Sequence, residues 1–162
     1  MSDRSVTWCA RSDAPVLPFP GMGLEVRVLL SSVASQGEQC VTEFAFSGAF
    51  GGPPMHWHGS YSETFIALEG QLTLLFPDRE QPLHAGDVAF VPLGVAHTYR
   101  VDGNRLTRFL LICSAGSNFD AYARDASALA MQAARDALPV SEELLRTIRG
   151  RYETYEVQDT TD

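Results

Sequence analysis

GGPPMHWHGSYSETFIALEG, residues 51–70, holds three of the side chains on which the reading of this chain turns: His56, His58 and Glu63. Residues two apart on a strand point to the same face, so His56 and His58 project together while Trp57 points away. Glu63 lies five residues beyond His58, across Gly59-Ser60, where a turn can return the chain to the pair. A second stretch, GDVAFVPLGVAHTYRV (86–101), carries His97, 34 residues after Glu63. It reaches the first group only if the strands close around it. Imidazole nitrogens with one carboxylate suit a first-row divalent ion that keeps positions open. Calcium or magnesium would want mostly oxygen ligands, and a closed structural zinc site more often uses thiolates. A bare HxH recurs by chance. The weight comes from the joint spacing of His56, His58, Glu63 and Gly70 with Gly86, Pro92, Gly94 and His97.

Around these segments the chain reads as short strands. LEVRVLLSS (24–32), QCVTEFAFS (39–47), ETFIALEGQLTLLF (63–76), DVAFVP (87–92), HTYRV (97–101) and LTRFLLICS (106–114) are separated by turn signals. Glu69-Gly70 reads as a hairpin turn within the third of these, and Gly70 and Gly86 permit positive φ at corners. Seven or eight strands so punctuated imply an antiparallel sandwich or barrel. Residues 1–23, with PFPGMG at 18–23, read as an irregular arm. NFDAYARDASALAMQAARDAL (118–138) is helix material, with Ser127 able to restart it as a second cap. Pro139 ends that helix, and Ser141-Glu142-Glu143 opens another. The tail VQDTTD reads as frayed.

In their spacing the two histidine segments resemble the two motifs of the cupin superfamily, small β-barrels of jelly-roll form. The first is matched from His56 through Glu63 to Gly70, its leading glycine (Gly51 or Gly52) a residue or two off the usual place. The second is matched from Gly86 through Pro92 and Gly94 to His97, with Val101 where an asparagine is usual. The resemblance covers residues 51–101, weakening to about 120. It implies an all-β fold: one cupin jelly-roll domain over 1–162, an irregular N-terminal arm, a barrel core at about 24–114 and one or two C-terminal helices at about 118–152. PPMHWH, ETF and RFLLICSAGSNFDAY are most similar to small single-cupin proteins near the quercetinase-like dioxygenases. By that likeness His56, His58, Glu63 and His97 are metal ligands, Glu63 doubles as catalytic base, and the cofactor is one divalent ion of Fe, Mn, Ni, Co, Cu or Zn.

Other residues carry two readings. Tyr61 either borders the pocket or packs the barrel mouth. Phe65 and Tyr99 share strand faces with Glu63 and His97, and either line a pocket or fill the core. Arg108 is a solvated outer-face residue or a substrate anchor. His84, in PLHAGD, reads as a solvated loop residue.

At 162 residues the chain is about one domain. Twelve Lys+Arg against twenty Asp+Glu leave a net charge of -8, which repels phosphate backbones and anionic membranes. The start MSDRSVTWCARSD is too polar for a signal peptide, and no apolar run approaches a membrane span. Three scattered cysteines, Cys9, Cys40 and Cys113, form no CxxC and read as reduced thiols in the cytoplasm. The expected partners are a small-molecule substrate and a second copy of the chain in a homodimer, with neither nucleic acid nor membrane. The expected function is a metal-dependent dioxygenase acting on a flavonol-like, polyketide or other enolisable aromatic or dicarbonyl compound. The alternatives are a non-oxidative Lewis-acid isomerase, decarboxylase or cyclase, and a non-catalytic metal- or small-molecule-binding cupin.

Overall fold

Alternation along the strands decides which residues meet inside. The computed structural model describes residues 6–103 and 105–157. In chain order the strands are β1 (Val16–Phe19), β2 (Leu24–Leu30), β3 (Gln39–Phe46), β4 (His56–His58), β5 (Glu63–Glu69), β6 (Gln71–Leu75), β7 (Glu80–His84), β8 (Val88–Val91), β9 (Thr98–Val101) and β10 (Thr107–Ser114). Two helices, α1 (Phe119–Arg135) and α2 (Glu142–Arg151), and a last strand β11 (Thr154–Glu156) follow. On β10 every second residue is buried: Thr107, Phe109, Leu111 and Cys113. β3 breaks the rule at Glu43, an outward residue that is buried nonetheless.

One antiparallel sheet runs β1-β2-β3-β10-β5-β8; a second runs β7-β6-β9, and β11 pairs β4. Bridges from His56 to His97 and from Phe50 to Val101 join the β4 segment to β9, so these shorter strands form one wall opposite the six-stranded sheet. Between the walls lie Phe44, Phe46, Phe65 and Phe109 from one side and Leu72, Leu74, Tyr99 and Val101 from the other. The rings of Phe44 and Phe109 stack at 4.8 Å. Each such side chain contributes about 1.5–3 kcal/mol by leaving water. From β7 to β10 the chain alternates between walls, which is the jelly-roll path expected of it.

Three local expectations change. Gly70 does not close a hairpin: β5 ends in one sheet at Glu69 and, with this single residue between, β6 begins in the other at Gln71. A tight hairpin needs two loop residues, and one residue at positive φ makes a corner instead. A Cβ on Gly70 would stand 2.7 Å from the Leu106 carbonyl oxygen, so the corner also requires the bare backbone. The arm is not irregular throughout, because β1 pairs with β2 from Val16–Arg27 to Phe19–Leu24. Pro18 is tolerated there because β1 is an edge strand, as is Pro82 in β7, which the sequence reading passed over. α1 runs unbroken through Ser127, whose buried hydroxyl donates to the Pro18 carbonyl at 2.7 Å and ties the helix to β1.

α2 begins where expected, with Ser141 Oγ accepting from the Leu144 amide at 3.3 Å. Of the supposedly frayed tail, Val157 donates its amide to the Met55 carbonyl at 2.9 Å, and residues 158–162 lie outside the described residues. Among the described residues no helix is long and apolar enough to cross a membrane.

Candidate metal centre

β4 is only three residues long, yet its register decides the site. His56 and His58 turn inward and are buried, while Trp57 turns outward and lies against Tyr155 of β11, ring centres 4.6 Å apart. Before β4 the chain carries Pro53-Pro54, which have no N–H to offer a ladder; the Thr98 hydroxyl instead donates to the Pro53 carbonyl at 2.7 Å. Gly52 lies so close to β9 that a Cβ would sit 1.8 Å from the Tyr99 carbonyl oxygen. Only glycine fits there, and it seats the approach to His56. The Pro92–Val95 turn then aims His97, with Val95 donating to Pro92 O and Gly94 donating to His58 O. Reciprocal amide bonds of 3.0 and 2.8 Å lock His56 to His97.

The result gathers the three histidines that sequence reading singled out. Their ligand nitrogens lie within 4.8 Å of one another, and all three residues are buried. Glu63, at the head of β5, joins them: Oε2 is 2.8 Å from His97 Nε2, and Oε1 is 3.3 Å from His58 Nε2. On the far side each ring is held by its Nδ1. That of His56 faces Pro54 O at 2.8 Å, that of His97 faces Val95 O at 2.9 Å, and that of His58 faces Thr154 Oγ1 of β11 at 3.3 Å. A carbonyl only accepts, so Nδ1 of His56 and of His97 carries the proton and Nε2 is the atom turned to the centre. Such outer partners fix ring orientation and tautomer in metal sites.

His58 Nε2 is buried without a hydrogen-bond partner, because Glu63 Oε1, though 3.3 Å away, is out of line. An orphaned buried nitrogen beside two more imidazoles and a carboxylate is a donor set for a first-row divalent ion, and the residues present fit one. Electrostatics agree. Burial, reinforced by His97, pushes His56 down to about 4, so its ring is neutral at pH 7. Burial also opposes charge on His97, but the bond to Glu63 outweighs it and raises that pKa. Burial would raise Glu63, yet His58 and His97 hold its carboxyl well below the usual range, and it stays ionised.

A cavity of about 190 Å³ opens from this cluster. Phe44, Phe65, Tyr99, Leu111 and Phe119 make up much of its wall, so Phe65 and Tyr99 do line the pocket as well as fill the core. Tyr61 does not. It packs behind His58, ring on ring at 4.2 Å, and burial keeps its hydroxyl neutral. Arg108 sits on the outer face of β10, bonded to Glu43 at 3.2 Å and Glu69 at 3.4 Å, which removes the substrate-anchor reading. His84 is exposed at the end of β7, apart from the cluster. Cys40 and Cys113 face one another across β3 and β10 as buried free thiols, and burial pushes Cys40 up to about 12. The Cys113 thiol points at Glu63 Oε1, 3.9 Å away.

Sequence reading missed Thr154, Arg149 and Tyr122, which also line the cavity. Thr154 reaches His58 only because β11 pairs with β4, and a three-residue strand carries too little pattern to announce that pairing.

An antiparallel jelly roll that turns three histidines and a glutamate into an apolar cavity defines a class of metal-site barrel. Residues 47–113 match the Cupin domain family. The chain is 41% identical over 49 residues to quercetin 2,3-dioxygenase of Bacillus subtilis (strain 168); the match spans 30% of this chain and 14% of that protein. Among solved structures, the polyketide cyclase RemF from Streptomyces resistomycificus superposes with a TM-score of 0.56 at 24% identity, covering 68% of this chain and 80% of that one. A predicted oxalate decarboxylase from Thermotoga maritima gives a TM-score of 0.56 at 23% identity, covering 65% of this chain and 96% of that one. These two likenesses are of fold. The two motifs, the barrel and the Cupin domain match over residues 47–113 agree with one another.

Proposed function

We propose that this cupin is a metal-dependent dioxygenase acting on an enolisable aromatic or dicarbonyl compound of flavonol-like or polyketide type. The observation that carries the proposal is the buried three-histidine cluster with Glu63, set in the wall of an otherwise apolar cavity. Similarity to quercetin 2,3-dioxygenase over 49 residues supports oxidative chemistry over the non-oxidative alternatives. His56, His58 and His97 would hold the ion, with Glu63 as a fourth ligand. Once bound, a redox-active ion supplies a meeting point for dioxygen and a chelating substrate. The chain does the rest. Glu63, ionised at neutral pH, is placed to accept the proton of a substrate hydroxyl at the same centre. Phe44, Phe65 and Tyr99 exclude water and hold a flat substrate against the cluster.

Oxygen uptake by iron-, manganese-, nickel-, cobalt- or copper-loaded protein, offered flavonols and β-diketones, tests this reading. Consumption coupled to product formation is expected. Product without oxygen uptake would establish the Lewis-acid alternative instead, and full metal occupancy with no turnover would establish a binder.

The reading extends to a cytoplasmic homodimer. β8 is an edge strand with Val88 60% and Phe90 62% exposed, an apolar edge that a second copy would cover. Light scattering at micromolar concentration should give twice the 17.7 kDa chain mass, and Phe90→Lys should return it to the single-chain value.

A further inference from the structure

α2 closes one side of the cavity and brings with it a buried cation. The Arg149 side chain is 5% exposed and is the one arginine or lysine on the cavity wall among the described residues. Glu156 holds it, accepting from Nε at 2.9 Å and from Nη2 at 2.5 Å, and Glu142 Oε2 lies 3.5 Å from Nη2. Glu156 is itself the register partner of His56, so the guanidinium is fixed to the ladder that carries two of the histidines. That leaves Nη1, which bonds neither of these two carboxylates. Tyr122 of α1 lines the same cavity within hydrogen-bonding reach of Arg149, and burial outweighs that cation and keeps its hydroxyl neutral.

Charge and size narrow what this pole can take. Glu142 and Glu156 already compensate Arg149, so an anionic group would meet two carboxylates for one cation. A neutral oxygen, ketone or phenol, accepts from Nη1 without that penalty. At about 190 Å³ the cavity is below the roughly 300–1,000 Å³ typical of drug-sized ligands. It suits one or two rings.

We propose that Arg149, with Tyr122 beside it, is the specificity pole of the pocket: its Nη1 donates to an uncharged oxygen on a compact aromatic or dicarbonyl substrate whose enolisable oxygens face the histidine cluster. The assignment rests on reading that cluster as the reacting end of the same cavity.

The test uses the metal-loaded protein, held anaerobic, and calorimetric binding of two probes: benzoylacetone and its para-hydroxy derivative. Wild type is expected to prefer the hydroxylated probe by about tenfold, the scale of one hydrogen bond to a charged group. Arg149→Met should erase that preference while leaving benzoylacetone affinity and metal content within about twofold. Arg149→Lys, which keeps charge and a donor, should retain part of it, and Glu156→Gln should retain most of it. A preference that survives in Arg149→Met overturns the proposal. So does an equal loss for both probes in Arg149→Met, since that is what a purely structural arginine predicts. If Arg149→Met does not fold, Tyr122→Phe and Arg149→Lys decide: an unchanged wild-type ratio in both overturns the proposal, and a reduced one supports it. Benzoylacetone binding with and without metal separates the two readings. Binding indifferent to metal removes the cluster as the reacting end even where the hydroxyl preference tracks Arg149.

Discussion

Glu43 and Glu63 lie on β3 and β5, either side of β10 in one sheet, and each is 3% exposed. One faces out and the other in. On the outer face Glu43 takes a fork from Arg11, Nε at 2.7 Å and Nη2 at 2.6 Å, and a third bond from Arg108 at 3.2 Å. On the inner face Glu63 meets His97 and His58. The Arg11 bond, against the opposing effect of burial, holds Glu43 at about 2, and the imidazoles hold Glu63 lower than its usual range. The pKa directions therefore match while the chemistry does not. A guanidinium has five donors and no lone pair, so Glu43 is saturated by partners that can do nothing further. An imidazole keeps a lone pair on one nitrogen, so the partners of Glu63 can exchange a proton for a metal ion. Burial of a carboxylate marks neither site; the partner decides.

The largest break in this comparison is His58→Ala. Metal content after purification without chelator should fall below detection, while the far-ultraviolet circular dichroism of the barrel persists. Retained metal would remove His58 from the ligand set. Thr154→Val acts one step out. With the hydroxyl gone, His58 Nδ1 loses its partner, and metal affinity should fall by about 10–100-fold. Competition against a chromogenic chelator measures it, and an unchanged affinity would mean that β11 does not orient His58.

Acid separates the two faces by window. His56 titrates at 6.5 when unperturbed and at about 4 in the fold, so the unfolded chain binds more protons between those values. Stability from the inner site thus falls as pH drops from about 6.5 toward 4, and metal loading, which needs neutral rings, falls with it. Glu43 is lowered from 4.5 to about 2, so its contribution is complete above 4.5 and lost only as pH falls toward 2. A loading curve flat to pH 4 would sink the histidine-rich site.

How much of this was legible follows from range. His56, His58 and Trp57 obey strand parity, a local rule, and Pro92 with Gly94 turns the chain by its own geometry before His97. The Cys40–Cys113 and Phe44–Phe109 pairings follow once β3 and β10 are taken as neighbours. Gly70 misled because a positive-φ glycine between two apolar runs looks the same whether the next strand pairs with the last or crosses to the other wall. Thr154 meets His58 across 96 residues, and Arg149 reaches the cavity because α2 packs ahead of β11; no residue-level signal encodes either. Glu43 was invisible for a related reason. Nothing local says that an arginine from the N-terminal arm will fold over an outward glutamate.

The smallest effect is on that outer face. In Glu43→Gln the amide keeps the shape but loses the charge, and its NH₂ group turns a donor toward two guanidinium groups. Arg11 is 55% exposed and Arg108 28%, so both find water, and no buried charge is stranded. The loss is then the charged hydrogen bonds alone, weakened by solvent screening at Arg11, and is read as a small drop of the midpoint in urea. Metal content should stay at the wild-type level, because β10 separates this carboxylate from the histidines and their faces are opposite. Loss of metal in Glu43→Gln would mean the two faces are coupled through the sheet, and the division drawn between them would fail.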